Sequence, residues 1–411
     1  MTSATRRVVI TGMGAITAAG AGVEALWEAA REGRSGVSEL RFPRYPRQRV
    51  SRSAHISGFD PAAHLSEQEL KTTDRFAQLA LVAAEEAMRH AGLDTQAPLG
   101  ARCGAIIGSG IGGAWTSDDG HYNFYMHDAR PDLLAIAKVM PNAAASQVSM
   151  RYGARGPSLA ISSACASGTQ SVGYGLQMIR AGMADMMLVG GSEALLTPAS
   201  FRAWEALRVM APQACRPFSD KRNGMVLGEG AAVLVIEELD HALARGATPL
   251  AEVAGYGTTS DAGDLLRPTV EGPAAAMAAA LADAGLAPEE IGYVNAHGTG
   301  TVLNDIAESD ALRRVFGAGV ETLAVSSTKP IHGHALGAAG AIELAITVRA
   351  LLDDIAPPTI NWLEADPKCL ADPVPNTARP TRIDAALSNS FAFGGINATI
   401  AIRKVRADGR G

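Results

Sequence analysis

Aromatic residues and cysteines are both scarce in this chain of 411 residues. Phenylalanine, tryptophan and tyrosine make up only 5% of it, which argues against an extended surface that stacks on sugars or nucleotide bases. The cysteines are too few and too widely spaced for a disulfide framework, so we predict a reducing, cytoplasmic setting. They are Cys103, Cys165, Cys215 and Cys369.

Long uninterrupted apolar runs are also missing, and the charge is nearly balanced. No stretch reaches the roughly 20 apolar residues of a membrane-spanning helix without a charged or helix-breaking residue, so we predict no membrane segment. The 36 basic and 42 acidic residues give a net charge of −6, which provides no general attraction to nucleic acid. Residues 8–21 resemble a signal peptide, but their glycines and their β-branched start favour a strand.

The sequence does contain an internal repeat. Residues 159–163 (LAISS) return as residues 323–327 (LAVSS), and the same offset of 164 residues aligns Cys165 with Lys329. Two further pairs of similar segments keep their order along the chain: 87–93 with 280–286, and 228–236 with 394–402. The repeat predicts two related halves, residues 1–250 and residues 251–411.

Apolar strands alternate with alanine-rich helices in both halves. The clearest strands are 103–108 and 291–296, and the clearest helices are 76–90, 169–180 and 273–283. Strands that are apolar along their whole length, between helices, indicate sheets that are covered on both faces. With hydrophobic residues at 47%, the chain can build such an α/β core.

Cys165 is the first candidate for chemistry. An apolar strand over residues 158–162 is expected to end just before it, and a helix is expected to begin at about Cys165 itself. This places the thiol at a helix N-terminus, where free N–H groups and the helix dipole favour the thiolate. The small neighbouring residues leave room for an acyl group. The other three cysteines lack this setting, and we interpret them as small buried apolar residues.

Histidines form the second group of candidates. His297 follows a predicted strand within a loop of glycine and threonine, from which its imidazole can donate a hydrogen bond into a cleft. Lys329, His332 and His334 lie in the second-half counterpart of the Cys165 segment. A twofold relation between the halves would bring both segments to one central site. The histidines also allow a zinc site, but no carboxylate that would orient them is evident in the local sequence.

These motifs, in this order, resemble those of the elongating β-ketoacyl-acyl-carrier-protein synthases of fatty-acid and type II polyketide synthesis. Cys165 lies in SSACASG and His297 in VNAHGTGT, whereas Lys329 and His334 lie in SSTKPIHGHALGAAG. The similarity extends from VVITGMG near the start to SNSFAFGGINA near the end. The resemblance implies an α/β protein with the thiolase fold, in which two duplicated halves form five αβαβα layers.

The resemblance also implies a decarboxylative Claisen condensation that extends an acyl chain by two carbons. Cys165 would accept the chain from the phosphopantetheine of an acyl carrier protein (ACP), and malonyl-ACP would then lose CO2. His297 and His334 would stabilise the resulting enolate, and backbone N–H groups of Cys165 and Phe393 would bind the oxyanion. No metal and no other cofactor is implied, because phosphopantetheine carries both substrates.

Supporting roles follow from the same resemblance. Thr299 and Thr301 would bind the pantetheine arm, and Lys329 and Glu308 would form a buried pair that orders the site. The acidic ACP requires a local basic surface. Lys71, Arg75 and Arg208 lie near the docking regions of the family. Five arginines provide either a second docking surface or a solvated loop: Arg41, Arg44, Arg47, Arg49 and Arg52.

Phe393 would be the gate over the active cysteine, with Gly394 and Gly395 as its hinge. Two positions depart from the housekeeping pattern of the family. Ala392 replaces the glycine before the gate and would stiffen it, and His332 replaces a small residue. These departures favour a specialised synthase, such as a nodulation-factor or polyene-type ketosynthase.

Two alternatives share the same fold. A thiolase acting on coenzyme A needs a second cysteine near its C-terminus, and the FAFGGIN loop has none. A chain-length-factor subunit lacks the active cysteine, whereas this chain retains Cys165. The chain could instead be the catalytic partner of such a subunit, so both a homodimer and a heterodimer with a chain-length-factor-like subunit are expected forms. Val139 and Met140 would then flank the interface.

Overall fold

A large mixed sheet forms the centre of the molecule in the computed structural model, which describes residues 6–405. Its strands are β1 (Val8–Thr17), β2 (Gly20–Ala21), β5 (Cys103–Gly108), β6 (Ser158–Leu159), β7 (Met186–Glu193), β8 (Gly230–Glu238), β9 (Ala251–Ser260), β10 (Tyr293–Asn295), β11 (Ala324–Ser326), β14 (Ala385–Ala392) and β15 (Ile396–Arg403). Two small two-stranded sheets lie outside it: β3 (Ser38–Glu39) with β4 (Arg52–Ser53), and β12 (Ile355–Ala356) with β13 (Arg379–Pro380).

Thirteen α-helices accompany these strands within the described residues. They are α1 (Val23–Glu32), α2 (Glu67–Thr72), α3 (Arg75–His90), α4 (Ala114–His127), α5 (Ala135–Val139), α6 (Ala143–Tyr152), α7 (Ser167–Arg180), α8 (Pro198–Ala206), α9 (Leu239–Ala244), α10 (Glu271–Ala284), α11 (Val302–Phe316), α12 (Lys329–His332) and α13 (Ala339–Asp353). None of them has the length and apolarity that a membrane crossing requires.

The strand order repeats itself. From one edge the sheet reads β6-β5-β7-β8-β1, and from the other edge it reads β11-β10-β14-β15-β9. In each set the first three strands are parallel and the last two pairings are antiparallel. The two sets meet where β1 pairs with β9 over only two residue pairs. The duplication predicted from short sequence matches is therefore a duplication of five strands.

Helices α7 and α13 form the middle layer of the fold, because both pack against strands of each five-stranded set. Helix α13 is apolar on nearly all sides and buried along most of its length, as a central helix must be. Gly168 permits the close approach of the two helices, since a Cβ there would lie 2.9 Å from the carbonyl oxygen of Gly337. Helices α3 and α6 cover one outer face, and α10 and α11 cover the other. The order of layers is αβαβα.

Several predicted elements are confirmed, and one is wrong. Within residues 8–21, which resemble a signal peptide, the structure has strand β1, as predicted. Strand β5 begins and ends as predicted. The strand predicted over residues 158–162 is only the two-residue β6. It pairs with β5 alone at the edge of the sheet, and its residues are partly exposed, so no second neighbour extends its pairing.

The alignment of Cys165 with Lys329 is also wrong. Cys165 is the central residue of a 3-10 turn, Ala164–Ala166, that leads directly into α7. In the second half the corresponding turn is Leu336–Ala338, which leads directly into α13. Its central residue, Gly337, is therefore the counterpart of Cys165.

Backbone conformation supports this revised alignment. Ala164 and Leu336, the first residues of the two turns, both have positive φ, at 50° and 37°. The second half reaches its turn eight residues later than the offset of 164 requires. The extra residues form the short helix α12 and the loop that follows it. Lys329 and His334 thus reach the site from an insertion that the first half lacks.

Candidate active site

Cys165 lies at the start of the central helix α7, at the bottom of a cavity of about 270 Å3. Its side chain is only 5% exposed, and the Nε2 atom of His334 lies 3.0 Å from its sulfur. Burial raises the pKa of the Cys165 thiol to about 12, although the nearby charge of Lys329 acts in the opposite direction. Burial thus opposes the thiolate that the helix N-terminus favours.

His297 and His334 lie side by side next to this thiol. Their ring centroids are 5.4 Å apart, and the rings are nearly perpendicular, at 81°. Burial, reinforced by the positive charge of Lys329, lowers the pKa of both imidazoles well below the usual range. Both rings are therefore neutral at physiological pH, and each can donate one N–H without acting as a strong acid.

Lys329 is buried behind the two histidines. Its Nζ atom donates to the carbonyl oxygen of His297 at 2.5 Å and to Oε1 of Glu343 at 2.5 Å. The expected partner, Glu308, instead accepts hydrogen bonds from the backbone N–H groups of His297 and Gly298, at 2.8 Å and 2.7 Å. The expected Lys329–Glu308 pair is thus a Lys329–Glu343 pair, because Glu308 is occupied by the His297 loop.

Sequence reasoning missed Glu343, although a signal was present. It is the one acidic residue within the apolar part of α13, where a buried carboxylate requires a partner. Burial raises the pKa of Glu343 to about 7, with Lys329 acting against this shift. Burial likewise raises the pKa of Glu308 to about 7, against the hydrogen bonds from its two backbone donors.

The glycine–threonine loop after His297 lines the cavity with two hydroxyls. The Oγ1 atoms of Thr299 and Thr301 are 2.8 Å apart, and both residues border the cavity. Between them, the backbone N–H of Gly300 donates to the buried carboxylate of Asp305 at 3.2 Å. Asp305, which sequence reasoning did not identify, thus fixes the turn that presents the hydroxyls.

Phe393 follows strand β14 and borders the same cavity as Cys165. Gly394 and Gly395 have φ of 82° and 69°, in the region that favours glycine, as a hinge after this ring requires. The Phe393 ring stacks on Trp204, with centroids 5.9 Å apart. Sequence reasoning missed Trp204, which lines this cavity, because it belongs to no motif.

His332 is close in sequence to His334 but does not reach the cavity. Its side chain is fully buried, and its Nε2 atom lies 3.0 Å from Oγ1 of Thr328. Burial, with a contribution from Lys329, lowers the pKa of His332 to about 3. Of the two histidines in this motif, only His334 contacts the cysteine.

The residue types at the site match a zinc triad, but their surroundings do not. One ligand atom from each of Cys165, His297 and His334 lies within 4.8 Å of the others. Zinc-binding histidines usually donate their second ring nitrogen to a carboxylate or a carbonyl. The Nδ1 atoms of His297 and His334 have no hydrogen-bond partner among residues 6–405. The arrangement suits two hydrogen-bond donors better than a metal centre.

The basic residues that were expected to contact the ACP are not equally free to do so. Arg75 is committed to the buried carboxylate of Glu229, with bonds of 2.8 Å and 2.7 Å, so it has a structural role and is less available to an acidic partner. Lys71 is exposed and paired only with the exposed Glu67. Arg208 is exposed at the rim of the cavity.

The arginine-rich segment is partly neutralised within the chain. Arg44 forms ion pairs with Asp118 and Asp119 of helix α4, and Arg41 pairs with Glu39. These pairs reduce the positive charge that the segment can offer to an acidic partner. They favour the solvated-loop interpretation for this part of the segment.

Comparison with known proteins agrees with this fold and site. The family descriptions "Beta-ketoacyl synthase, N-terminal domain" and "Beta-ketoacyl synthase, C-terminal domain" match residues 5–242 and 250–363. The chain therefore belongs to the β-ketoacyl synthase family, a family of acyltransferases with the thiolase fold.

Among curated relatives, Nodulation protein E of Rhizobium sp. (strain N33) is 45% identical over 402 residues, covering 97% of this chain and 100% of the relative. The 3-oxoacyl-[acyl-carrier-protein] synthase 2 of Staphylococcus aureus (strain COL) is 40% identical over 415 residues, covering 98% and 100%. Among solved structures, the ishigamide ketosynthase/chain length factor has a TM-score of 0.94 at 33% identity, covering 98% of this chain and 100% of that one.

Proposed function

We propose that this chain is a β-ketoacyl-ACP synthase that extends a cysteine-bound acyl chain by two carbons with malonyl-ACP. The observation that carries the proposal is the contact of 3.0 Å between the Cys165 sulfur and Nε2 of His334, with His297 alongside. A nucleophile and two neutral donors within one buried cavity suit acyl transfer followed by enolate formation.

In the first step, the sulfur of Cys165 attacks the carbonyl carbon of the acyl-ACP thioester. Because the pKa of the thiol is about 12, its proton must leave during the attack. The departing pantetheine sulfur takes up this proton, so the imidazole of His334, whose Nε2 faces the Cys165 sulfur, keeps the Nε2–H that the second step requires. The products are acyl-Cys165 and an ACP with a free thiol.

In the second step, the bond between the malonyl carboxylate and the α-carbon breaks, and CO2 leaves. The electron pair remains as an enolate, whose oxygen accepts N–H hydrogen bonds from His297 and His334. The α-carbon then attacks the acyl-Cys165 carbonyl, whose oxyanion is held by backbone N–H groups of Cys165 and Phe393. Each such donor contributes roughly 3 kcal/mol. Cys165 leaves as a thiolate and regains a proton.

Lys329, Glu343 and Glu308 are positioning residues in this proposal. The cation of Lys329 holds the carbonyl of His297 and, after burial, is the second cause that lowers the pKa of both imidazoles. Glu343 balances the lysine charge. Glu308 fixes the backbone of the His297 loop, so that the ring faces the cavity.

Both substrates arrive on phosphopantetheine, so we propose no metal and no other cofactor. Thr299 and Thr301, which border the cavity, are proposed to bind the pantetheine amides. Lys71 and Arg208 remain the proposed contacts with an acidic ACP, since Arg75 is occupied. The free, buried state of all four cysteines supports a reducing, cytoplasmic location.

We further propose that the two halves, residues 1–250 and 251–411, work within a dimer. Exposed apolar side chains are frequent from the last turn of α4 to the residue after α5, which is the expected interface residue Met140. The others are Phe124, Tyr125, Met126, Leu133, Leu134 and Ile136. Similarity to a ketosynthase/chain length factor supports a heterodimer as well as a homodimer. Identity of 45% with Nodulation protein E, against 40% with a 3-oxoacyl-[acyl-carrier-protein] synthase 2, supports a specialised pathway.

Reconstitution with purified carrier protein tests the proposal. The protein is incubated with octanoyl-ACP and malonyl-ACP, and the ACP products are weighed by intact mass spectrometry. We expect a β-ketoacyl-ACP two carbons longer than the starting chain, formed by the wild type and by Cys103→Ala but not by Cys165→Ala. Product that forms only from coenzyme A thioesters would refute the proposal and favour a thiolase.

A further inference from the structure

A second aromatic ring holds the side chain of Phe393. The rings of Trp204 and Phe393 are stacked, with an interplanar angle of 23° and centroids 5.9 Å apart. Both residues border the cavity that contains Cys165. Aromatic rings at this separation attract each other beyond simple burial, so Trp204 stabilises the present position of Phe393.

The sulfur of Cys165 is shielded from solvent in this position. With its side chain 5% exposed, Cys165 cannot receive a long acyl chain unless a lining side chain moves. Phe393 is suited to move, because it is 36% exposed and is followed by Gly394, where an added Cβ would meet no atom within 4 Å. A ring at the solvent boundary, next to an uncrowded glycine, can swing outward at little steric cost.

Trp204, in contrast, belongs to a fixed element. Its helix α8 is anchored by the fully buried ring of Phe201. The next residue, Glu205, accepts hydrogen bonds from the backbone N–H of Val50 at 2.7 Å and from the hydroxyl of Tyr45 at 2.5 Å. The indole therefore stays in place when Phe393 moves.

The backbone beside the gate is tied down on the opposite side. The N–H of Gly394 donates to the carbonyl oxygen of Leu265 at 2.9 Å, and the N–H of Asp261 donates to the carbonyl oxygen of Gly395 at 2.8 Å. These bonds fix the turn after Phe393, so the ring can move only by rotation about its own side-chain bonds. The stacking contact with Trp204 thus opposes the movement of the ring.

We propose that Trp204 is a positioning residue that seats the Phe393 ring over the cavity and thereby limits the rate at which Cys165 is modified. The inference rests on the proposed function only in that Cys165 is the acylated group. Loading of an acyl chain requires the Phe393 ring to leave Trp204. Weaker stacking of the Phe393 ring on Trp204 therefore gives faster acylation of Cys165.

The rate of Cys165 modification in Trp204→Ala tests the inference. Two reagents are compared, iodoacetamide and octanoyl-ACP, and modification is followed by mass spectrometry of the Cys165 peptide. Loss of one aromatic stacking contact corresponds to roughly a two- to tenfold increase in rate for both reagents. Trp204→Phe keeps an aromatic seat and should react at nearly the wild-type rate. Trp362→Phe is the matched control, because Trp362 does not line the cavity. The rate of Cys165 modification in this variant should equal that of the wild type.

An unchanged or slower reaction of Trp204→Ala with iodoacetamide would overturn the inference. The iodoacetamide measurement needs no carrier protein, so it tests the role of Trp204 independently of the proposed function. If the proposed function were wrong, the wild type would accept no acyl chain from octanoyl-ACP. Fluorescence is an independent arm if Trp204→Ala does not fold. Alkylation of Cys165 should change tryptophan emission in the wild type and in Trp362→Phe but not in Trp204→Phe. A change that persists in Trp204→Phe would contradict the proposed role of Trp204.

Discussion

The Nε2 atom of His334 lies 3.0 Å from the sulfur of Cys165, although the two residues are 169 positions apart in the chain. Cys165 lies in the turn before the central helix α7 of one half, and His334 precedes the central helix α13 of the other. The contact therefore exists only when both halves pack around a common middle layer. It also divides the chemistry, because the nucleophile comes from one half and the enolate donors from the other.

This division predicts different defects for the two halves. We expect Cys165→Ala to lose acyl loading completely but to retain measurable decarboxylation of malonyl-ACP, because His297 and His334 remain in place to stabilise the enolate. Release of CO2 from labelled malonyl-ACP measures the second activity, and Cys103→Ala is the control. A Cys165→Ala variant that released no CO2 while remaining folded would show that the thiol takes part in decarboxylation.

The two neighbouring histidines of the third motif are expected to differ. His334→Ala and His297→Ala should each slow decarboxylation by about two orders of magnitude, since each removes one donor worth roughly 3 kcal/mol. His332→Ala should be much milder, because its ring bonds to Thr328 and does not border the cavity. The rates of CO2 release of the three folded variants decide this point. The reverse order, with His332→Ala inactive and His334→Ala nearly normal, is incompatible with the site described above.

The buried Lys329–Glu343 pair predicts an effect on stability. Lys329→Met should lower the free energy of unfolding by about 3–5 kcal/mol, because it leaves the carboxylate of Glu343 buried without its cation. Lys329→Met combined with Glu343→Leu should recover part of this loss, since no buried charge then remains unpaired. Urea unfolding measures both values. Equal stability of Lys329→Met and wild type would mean that the pair does not order the site.

The high pKa of the Cys165 thiol predicts a pH dependence. A thiol with a pKa of about 12 is almost entirely protonated at neutral pH, and the thiolate fraction rises about tenfold per pH unit below that pKa. The rate of alkylation by iodoacetamide should therefore rise steadily from pH 7 to pH 9 without reaching a plateau. Peptide mass spectrometry reads the rate at Cys165 alone. A plateau below pH 7 would instead indicate a stable thiolate–imidazolium pair with His334.

Sequence patterns predicted the duplication, and the family resemblance implied the five layers and a set of residues that the structure places around one cavity. They succeeded where chemistry imposes local motifs, as at Cys165 and His297. They did not reveal Glu343, because its role depends on which helix turn faces Lys329 across the middle layer. Sequence patterns missed Trp204 for a similar reason, since its contact with Phe393 arises only from tertiary packing. The high pKa of the Cys165 thiol was not foreseen either, because a helix N-terminus is visible in a sequence but burial is not.

The central claim is that Cys165 is the acylated nucleophile, and mapping of the acyl group tests it most directly. The wild-type protein is incubated with octanoyl-ACP without malonyl-ACP, digested, and analysed by peptide mass spectrometry, with all four cysteines covered. The account predicts one octanoyl thioester per chain, on Cys165, with Cys103, Cys215 and Cys369 free. An acyl group on any other residue, with Cys165 unmodified, would contradict it.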